Sequence, residues 1–146
     1  MRYFWRIYVP IALWVFALVP FGGTIQEFID PIRSEQSITN VVREESPHRL
    51  CWDWNSIKNR NVASSDIDVL VDVGHDRYSA GVYEADTHEP WAASRAVSVG
   101  RHKQPFCIDL RPGIKPEDSV TVHQTIAYPG WLPWYTVHVT IPDVVD

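Results

Sequence analysis

The sequence lacks the short motifs that mark the common enzyme classes. It has no G-x-S-x-G elbow, no HExxH zinc motif and no glycine-rich phosphate loop. It also lacks the positive charge that nucleic-acid binding requires, since the formal net charge is −5. These absences predict a protein that is not an enzyme, needs no cofactor and binds no nucleic acid.

Charged residues are missing from a long stretch near the N-terminus. No residue between Arg6 and Glu27 is charged, and residues 7–21 read IYVPIALWVFALVPF. A helix over these roughly 20 uncharged residues would be about 30 Å long, which is the thickness of a bilayer's hydrocarbon core. We therefore predict a single N-terminal transmembrane helix, a signal anchor, within residues 1–29.

A cleaved signal peptide is the alternative, because positive charge followed by an apolar stretch also begins an export signal. A cut after Gly23 would leave the bulky Phe21 near the cleavage site, which favours the uncleaved anchor. Both interpretations export the remainder of the chain. The positive-inside rule keeps Arg2 and Arg6 in the cytoplasm, so we expect an inner (cytoplasmic) membrane protein with a periplasmic or extracellular C-terminal domain.

Residues 30–48 are predicted to form a polar connector. Apolar residues are sparse there, and Ile38, Val41 and Val42 have helical spacing. The connector is therefore either a solvated spacer that lifts a domain off the membrane or a short helix.

From residue 49 onward, apolar side chains alternate with polar ones. The segments DIDVLVDV (66–73), SVTVHQTIAY (119–128) and YTVHVTI (135–141) are typical of antiparallel strands with one buried and one wet face. Further strands are predicted near Arg49–Asn55, Ser79–Glu84, Ala93–Val99 and Phe106–Leu110. About seven short strands predict an all-β exported domain over 49–146, an immunoglobulin-like antiparallel β-sandwich.

The two cysteines, Cys51 and Cys107, are predicted to form a disulfide, because an exported chain meets an oxidising environment. Both lie on the polar side of their strands, so the bridge should join neighbouring strands of one sheet rather than cross the core. The same parity directs Trp52 and Trp54 inward. Pro105 stands where immunoglobulin domains place a corner tyrosine, so the likeness is one of architecture alone.

The segment YPGWLPWY (128–135) is the best candidate for a binding surface. Since proline and glycine interrupt it, Trp131 and Trp134 cannot both follow the buried face of a strand, and Leu132 lies between them. Exposed aromatic residues are enriched at protein interfaces, under sugar rings and at membrane surfaces. The alternative is a loop that folds back and plugs one end of the sandwich.

A basic cluster follows a glycine and is predicted to tip a loop. It consists of Arg101, His102 and Lys103, which could meet an acidic partner, a lipid headgroup or an envelope polyanion. A charged loop that simply keeps the domain soluble is the alternative.

Two histidines form a further candidate site. A tight turn at residues 130 and 131 would place His123 opposite His138 on the polar face, where they could bind a metal or sense pH. No third ligand is identifiable, so no metal site is predicted. The acidic residues Asp66, Asp68 and Asp72 share one strand face, which a solvated surface explains without calcium.

The leading hypothesis is a single-pass membrane-anchored accessory or interaction protein whose exported sandwich docks on a membrane or envelope protein. A glycan or cell-wall binding module would instead use Trp131 and Trp134 as its stacking platform. A metal or redox module would use the histidines. A lysis or regulatory membrane protein of the kind that bacterial viruses encode would have the same outline of anchor and external domain.

Overall fold

In the computed structural model, which describes residues 2–45, 48–91 and 98–146, one helix is followed by eight β-strands. In chain order the elements are α1 (Arg2–Ile29), β1 (Arg33–Glu44), β2 (Arg49–Lys58), β3 (Asp66–Val73), β4 (Asp76–Ser79), β5 (Val82–Glu84), β6 (Gly100–Asp109), β7 (Val120–Pro129) and β8 (Thr136–Val145). The strands form two four-stranded sheets with the orders β1-β2-β6-β5 and β4-β3-β7-β8, and their pairings are antiparallel. This β-sandwich-like arrangement confirms the predicted antiparallel β fold.

The core is built from alternate residues of the strands. In β2, Leu50, Trp52 and Trp54 are buried, and in the neighbouring β6 the buried residues include Phe106 and Ile108. The rings of Trp54 and Phe106 stack with their centroids 6.0 Å apart. Since successive side chains of a strand point to opposite faces, this burial confirms the inward parity predicted for the two tryptophans.

The disulfide between Cys51 and Cys107 joins β2 to β6, and the two cysteines lie directly opposite each other in the ladder. Cys51 is half-buried, and Cys107 is buried beside Tyr83, its partner on β5. The bridge therefore connects neighbouring strands of one sheet, as the parity of the cysteines predicted.

Strand β1 occupies most of the predicted connector, so the spacer and the short helix are both wrong for residues 33–44. The strand pairs with β2, and two irregularities interrupt the register, each close to a residue with positive φ, Glu35 (47°) and Asn40 (53°). Such bulges insert one residue and change the phase of the strand. The bulge at Asn40 brings both Ile38 and Val41 against the core, although they are three residues apart. A spacing of three is also typical of one face of a helix. The sandwich thus begins at β1 rather than at residue 49.

The predicted strand over residues 79–84 is divided in two. Its first residue ends β4 and its last three form β5, and these strands belong to different sheets because the chain crosses between the sheets at Ala80 and Gly81. The strand predicted near Ala93–Val99 falls mostly outside the described residues.

Helix α1 consists of two arms, a first arm (Trp5–Phe16) and a second arm (Pro20–Ile29), with an angle of 80° between them. Within the described part of the chain, neither arm is long and apolar enough to cross a membrane by itself, whereas the two together meet that requirement by length and composition. A proline is tolerated in the first turn of a helix, where Pro20 stands. The single transmembrane span therefore stays a prediction.

Candidate functional site

The second arm is fastened to the turn between β7 and β8, residues 130–135, by one buried side chain. The Oε1 atom of Gln26 accepts hydrogen bonds from the backbone N–H of Trp131 at 2.8 Å and from the hydroxyl of Tyr135 at 3.0 Å. Gln26 is fully buried, and a buried donor without a partner costs about 1–3 kcal/mol. The position of the helix end is therefore linked to that of this turn, which we call the tryptophan turn.

Two glycines let the second arm approach β8 closely. A Cβ atom on Gly23 would collide with the carbonyl oxygen of Thr136, and one on Gly22 would lie 2.8 Å from the ring of Tyr135. No side chain larger than hydrogen fits at Gly23 unless the backbone shifts. The signal for this contact in the sequence is a pair of adjacent glycines near the end of an apolar helix.

A groove of about 660 Å³, the arm groove, runs beside this contact between the second arm and β8. The helix contributes Thr24, Glu27 and Phe28 to its walls, and the sheet side contributes Trp134 and His138. The walls thus carry both aromatic rings and polar groups. Such a mixture resembles the cores and rims of protein interfaces, where aromatic residues are enriched and polar groups supply hydrogen bonds.

The tryptophan turn leaves both of its indole rings accessible. Trp131 is 49% exposed and Trp134 is 56% exposed, while Leu132 is half-buried. The guanidinium of Arg60 lies 5.8 Å from the ring centre of Trp131 and forms an ion pair with Asp30 at 3.4 Å. The rings are thus available to a ligand, and their role in binding a partner stays a prediction.

The face of the second arm that points away from the sandwich is apolar. Phe21, Ile25, Phe28 and Ile29 are exposed there, and we call them the outer stripe. Phe28, which is 90% exposed, lies at the edge of the stripe and also lines the arm groove. The docked face carries the polar Gln26 instead. This is the reverse of an ordinary amphipathic surface helix, whose apolar side packs on its own domain.

The basic cluster lies on a strand and not on a loop, so that prediction is wrong. Arg101, His102 and Lys103 belong to β6, because the ladder between β2 and β6 continues to residue 100. Arg101 pairs with Glu35 at 3.3 Å and Lys103 pairs with Asp53 at 2.9 Å. The cluster lines a groove of about 420 Å³ on the other sheet, and none of its lining residues belongs to the arm groove.

The histidines are not opposite each other, and this prediction is also wrong. His138 lies opposite Ala127, because the chain reverses around Leu132 and Pro133 rather than at residues 130 and 131. Both registers satisfy the alternation of apolar and polar residues, which is why the pattern did not distinguish them. His138 lines the arm groove, and His123 lies in another cluster.

His123 is held between two carboxylates on the outer face of its sheet. Its Nδ1 atom lies 2.7 Å from Asp143 and its Nε2 atom lies 3.1 Å from Asp72, which also receives two 2.6 Å bonds from Arg77. The bond to Asp143 raises the pKa of His123, because carboxylate acceptors on both ring nitrogens favour the doubly protonated ring. Partial burial of the ring opposes this increase. The bonds from Arg77 lower the pKa of Asp72 to about 2.

These groups do not form a metal site. Among residues 2–45, 48–91 and 98–146, no three or more His, Cys, Asp or Glu side chains are arranged to hold a metal ion. Asp66 and Asp68 are exposed on β3. The hypothesis of a metal site therefore has no supporting geometry in this part of the chain.

A buried pair of cations near the end of β2 was not predicted. Arg33 donates hydrogen bonds to the hydroxyl of Tyr128 at 2.8 Å and to Ser56 at 2.7 Å, and its guanidinium lies 4.3 Å from the ring centre of Trp54. Lys58 is buried opposite Arg33, and desolvation, followed by the charge of Arg33, lowers the pKa of Lys58. The alternation that buries Trp54 continues through Ser56 to Lys58, so strand parity could have predicted their inward direction.

The fold and the site define a helix-linked β-sandwich with an open groove at its helix. No protein-family model matches the chain, and neither a curated protein nor a solved structure matches it. Inference of function therefore rests on the geometry of the site.

Proposed function

We propose that this protein is a single-pass membrane-anchored accessory protein whose exported β-sandwich binds a membrane or envelope protein. The observation that carries the proposal is the attachment of the second arm to the tryptophan turn through Gln26, beside an arm groove that stays open. A partner in this groove would contact the helix and the sandwich together. Its position relative to the membrane would then be fixed by the docked helix.

The residues around the groove have the properties of an interface. Phe28 and Trp134 supply exposed aromatic area, which is where binding energy is usually concentrated. Glu27 and His138 supply polar groups that can orient a partner. The basic cluster on the other sheet would contact an acidic region of the same partner, and that contribution would weaken as salt is added.

The location follows from charge and from the disulfide. The helix is uncharged between its arginines and Glu27, and the positive-inside rule places Arg2 and Arg6 in the cytoplasm. The disulfide suits an oxidising compartment. These features support an inner (cytoplasmic) membrane location with the sandwich on the periplasmic or extracellular side.

We also infer an immunoglobulin-like topology for the sandwich. The order β1-β2-β6-β5 corresponds to strands A-B-E-D of such domains, and β4-β3-β7-β8 corresponds to C′-C-F-G. The disulfide departs from that pattern, because it joins neighbouring strands within one sheet. The strand order therefore supports a shared architecture without a family relationship.

Site-specific photo-crosslinking in native membranes tests the partner-binding proposal. A photoreactive amino acid would replace Trp134 or His138 in the arm groove, and the control position is Glu117, an exposed residue between β6 and β7. We expect the same protein adduct from both groove positions and none from Glu117. Absence of an adduct at both groove positions, with the chain present in the membrane, would refute the proposal.

Glycan binding is a second candidate, favoured by the half-exposed rings of Trp131 and Trp134. Sugar rings stack on such aromatic faces. Titration of the full chain with peptidoglycan fragments should then change its tryptophan fluorescence, and the change should be lost in Trp131→Ala and Trp134→Ala variants. Fluorescence that is constant across the titration would remove this candidate.

A further inference from the structure

The outer stripe is an exposed apolar surface on a helix that is fastened to the sandwich by another of its sides. Phe21, Ile25, Phe28 and Ile29 point away from the sandwich, while Gln26 occupies the docked face. A helix that served only to complete a water-soluble domain would direct its apolar residues to the core. The stripe therefore matches an apolar environment outside the chain.

The length of the first arm indicates which environment this is. At about 1.5 Å per residue, Trp5–Phe16 is about 18 Å long, and the residues of the bend add about 5 Å, against about 30 Å of hydrocarbon. The uncharged stretch continues past the bend as far as Glu27. If α1 anchors the chain in a membrane, lipid must therefore reach the second arm.

Groups suited to the headgroup region lie beside the stripe, at the C-terminal half of the second arm. Trp131 is held against the second arm by its bond to Gln26, and its half-exposed ring lies near Arg60. Arg60 pairs with Asp30, the residue that follows the helix. Tryptophan is enriched at the interface between hydrocarbon and water. An apolar stripe with an indole ring and an ion pair beside it thus has the mixture of groups found at the edge of a bilayer.

We propose that the second arm lies in the outer interface of a lipid bilayer, with its outer stripe toward the acyl chains and Trp131 at headgroup level. Lipid is the occupant because the uncharged residues 7–26 join the stripe to the exposed apolar side chains of the first arm. This inference rests on the proposed membrane anchoring. In this arrangement the second arm holds the sandwich at the membrane surface, and the arm groove stays open to a protein.

Spin labels on the full-length chain test the seating. The chain would be reconstituted into vesicles of phosphatidylcholine and phosphatidylglycerol, with single introduced cysteines labelled, since the two natural cysteines are bonded to each other. Leu13→Cys reports on the first arm, Ile25→Cys and Ile29→Cys report on the outer stripe, and Glu117→Cys is the water-exposed control. Leu13, Ile29 and Glu117 are largely exposed and Ile25 is 36% exposed, so none of the substitutions removes a side chain from the hydrophobic core. Collisions with oxygen mark a lipid environment, and collisions with a nickel chelate mark water.

We expect oxygen collisions to dominate at Leu13, Ile25 and Ile29 and nickel collisions to dominate at Glu117. Nickel dominance at Ile25 and Ile29, with oxygen dominance at Leu13, would overturn the seating and leave the membrane anchoring intact. Nickel dominance at Leu13 as well would overturn both. Few collisions with either reagent at Ile25, together with spin–spin broadening, would show a second copy of the chain over the stripe and would also overturn the seating.

Discussion

Replacing Gln26 by leucine should open the contact between the second arm and the tryptophan turn. Leucine is similar in volume but accepts no hydrogen bond, so the Trp131 amide and the Tyr135 hydroxyl lose an acceptor at 2.8 and 3.0 Å. Two bonds that contribute about 0.5–1.5 kcal/mol each amount to about 1–3 kcal/mol. The Nε2 atom of Gln26 is buried without a partner among the described residues, so its removal offsets part of this loss. We therefore expect a loss in the lower half of that range, about 1–2 kcal/mol. Such a loss would raise the population in which the helix and the turn are apart roughly 5- to 30-fold.

Hydrogen exchange of the Trp131 amide in the full chain in detergent micelles measures this opening. A Tyr135→Phe variant removes only the hydroxyl bond and should accelerate exchange less than Gln26→Leu. The amide of Trp52 in the ladder between β2 and β6 should exchange as in the unmodified chain, which separates local opening from global unfolding. Equal Trp131 exchange in Gln26→Leu and the unmodified chain would show that Gln26 does not hold the turn.

Three further perturbations test the fold and the charge cluster. Replacing both cysteines by alanine should lower the free energy of unfolding by about 4 kcal/mol in the chain-entropy model, because the bridge closes a loop with a sequence separation of 56. Urea unfolding measures this loss, and a loss near zero would contradict the prediction. Asp143→Asn should lower the pKa of His123 in an NMR titration, since Asp143 is the main cause of its elevation. A raised histidine pKa stabilises the fold at pH values below the unfolded pKa of about 6.5, and this stabilisation is lost as the pH rises through the folded pKa. The variant should therefore be less stable than the unmodified chain in acid but not in alkali. Equal titration midpoints of His123 in the two proteins would refute the role of Asp143. Gly23→Ala should detach the second arm and accelerate Trp131 exchange, whereas Gly81→Ala, with open space around the added methyl, should not; equal exchange in the two would refute the close packing.

The parts of the fold that sequence could predict depend on a local period of two. Strands β3, β7 and β8 and the inward tryptophans follow that period, and so does the placement of the disulfide. Strand β1 was not predicted, because its bulges change the phase of the alternation between buried and exposed residues. Ile38 and Val41 therefore lie on one face although they are three residues apart. A bulge is a departure from the period, so period alone cannot identify the strand that contains it.

The candidate site was only partly predictable for a similar reason. The proline and glycine residues around Trp131 and Trp134 indicated that the two rings do not both follow a buried strand face, but they did not distinguish an exposed loop from one that plugs the sandwich. The bond from Trp131 to Gln26 joins residues 105 positions apart, and no local pattern in either segment indicates it. The length of the turn was also ambiguous, because registers that differ by an even number of residues give the same alternation. Because of this ambiguity, His138 was predicted to pair with His123, whereas it lies opposite Ala127 and lines the arm groove.

Lipid and a protein partner can occupy the second arm together, because its docked, groove and outer sides are different sectors of one helix, and the groove and outer sides share only Phe28. Gln26 faces the sandwich, Glu27 lines the groove and Ile25 belongs to the outer stripe, which agrees with about 100° of rotation per residue. If the stripe lies in lipid, the groove is within about one helix diameter, about 10 Å, of the membrane surface. A protein that fills the groove must therefore lie at the membrane itself. This geometry favours a membrane-bound partner over a soluble protein of the envelope.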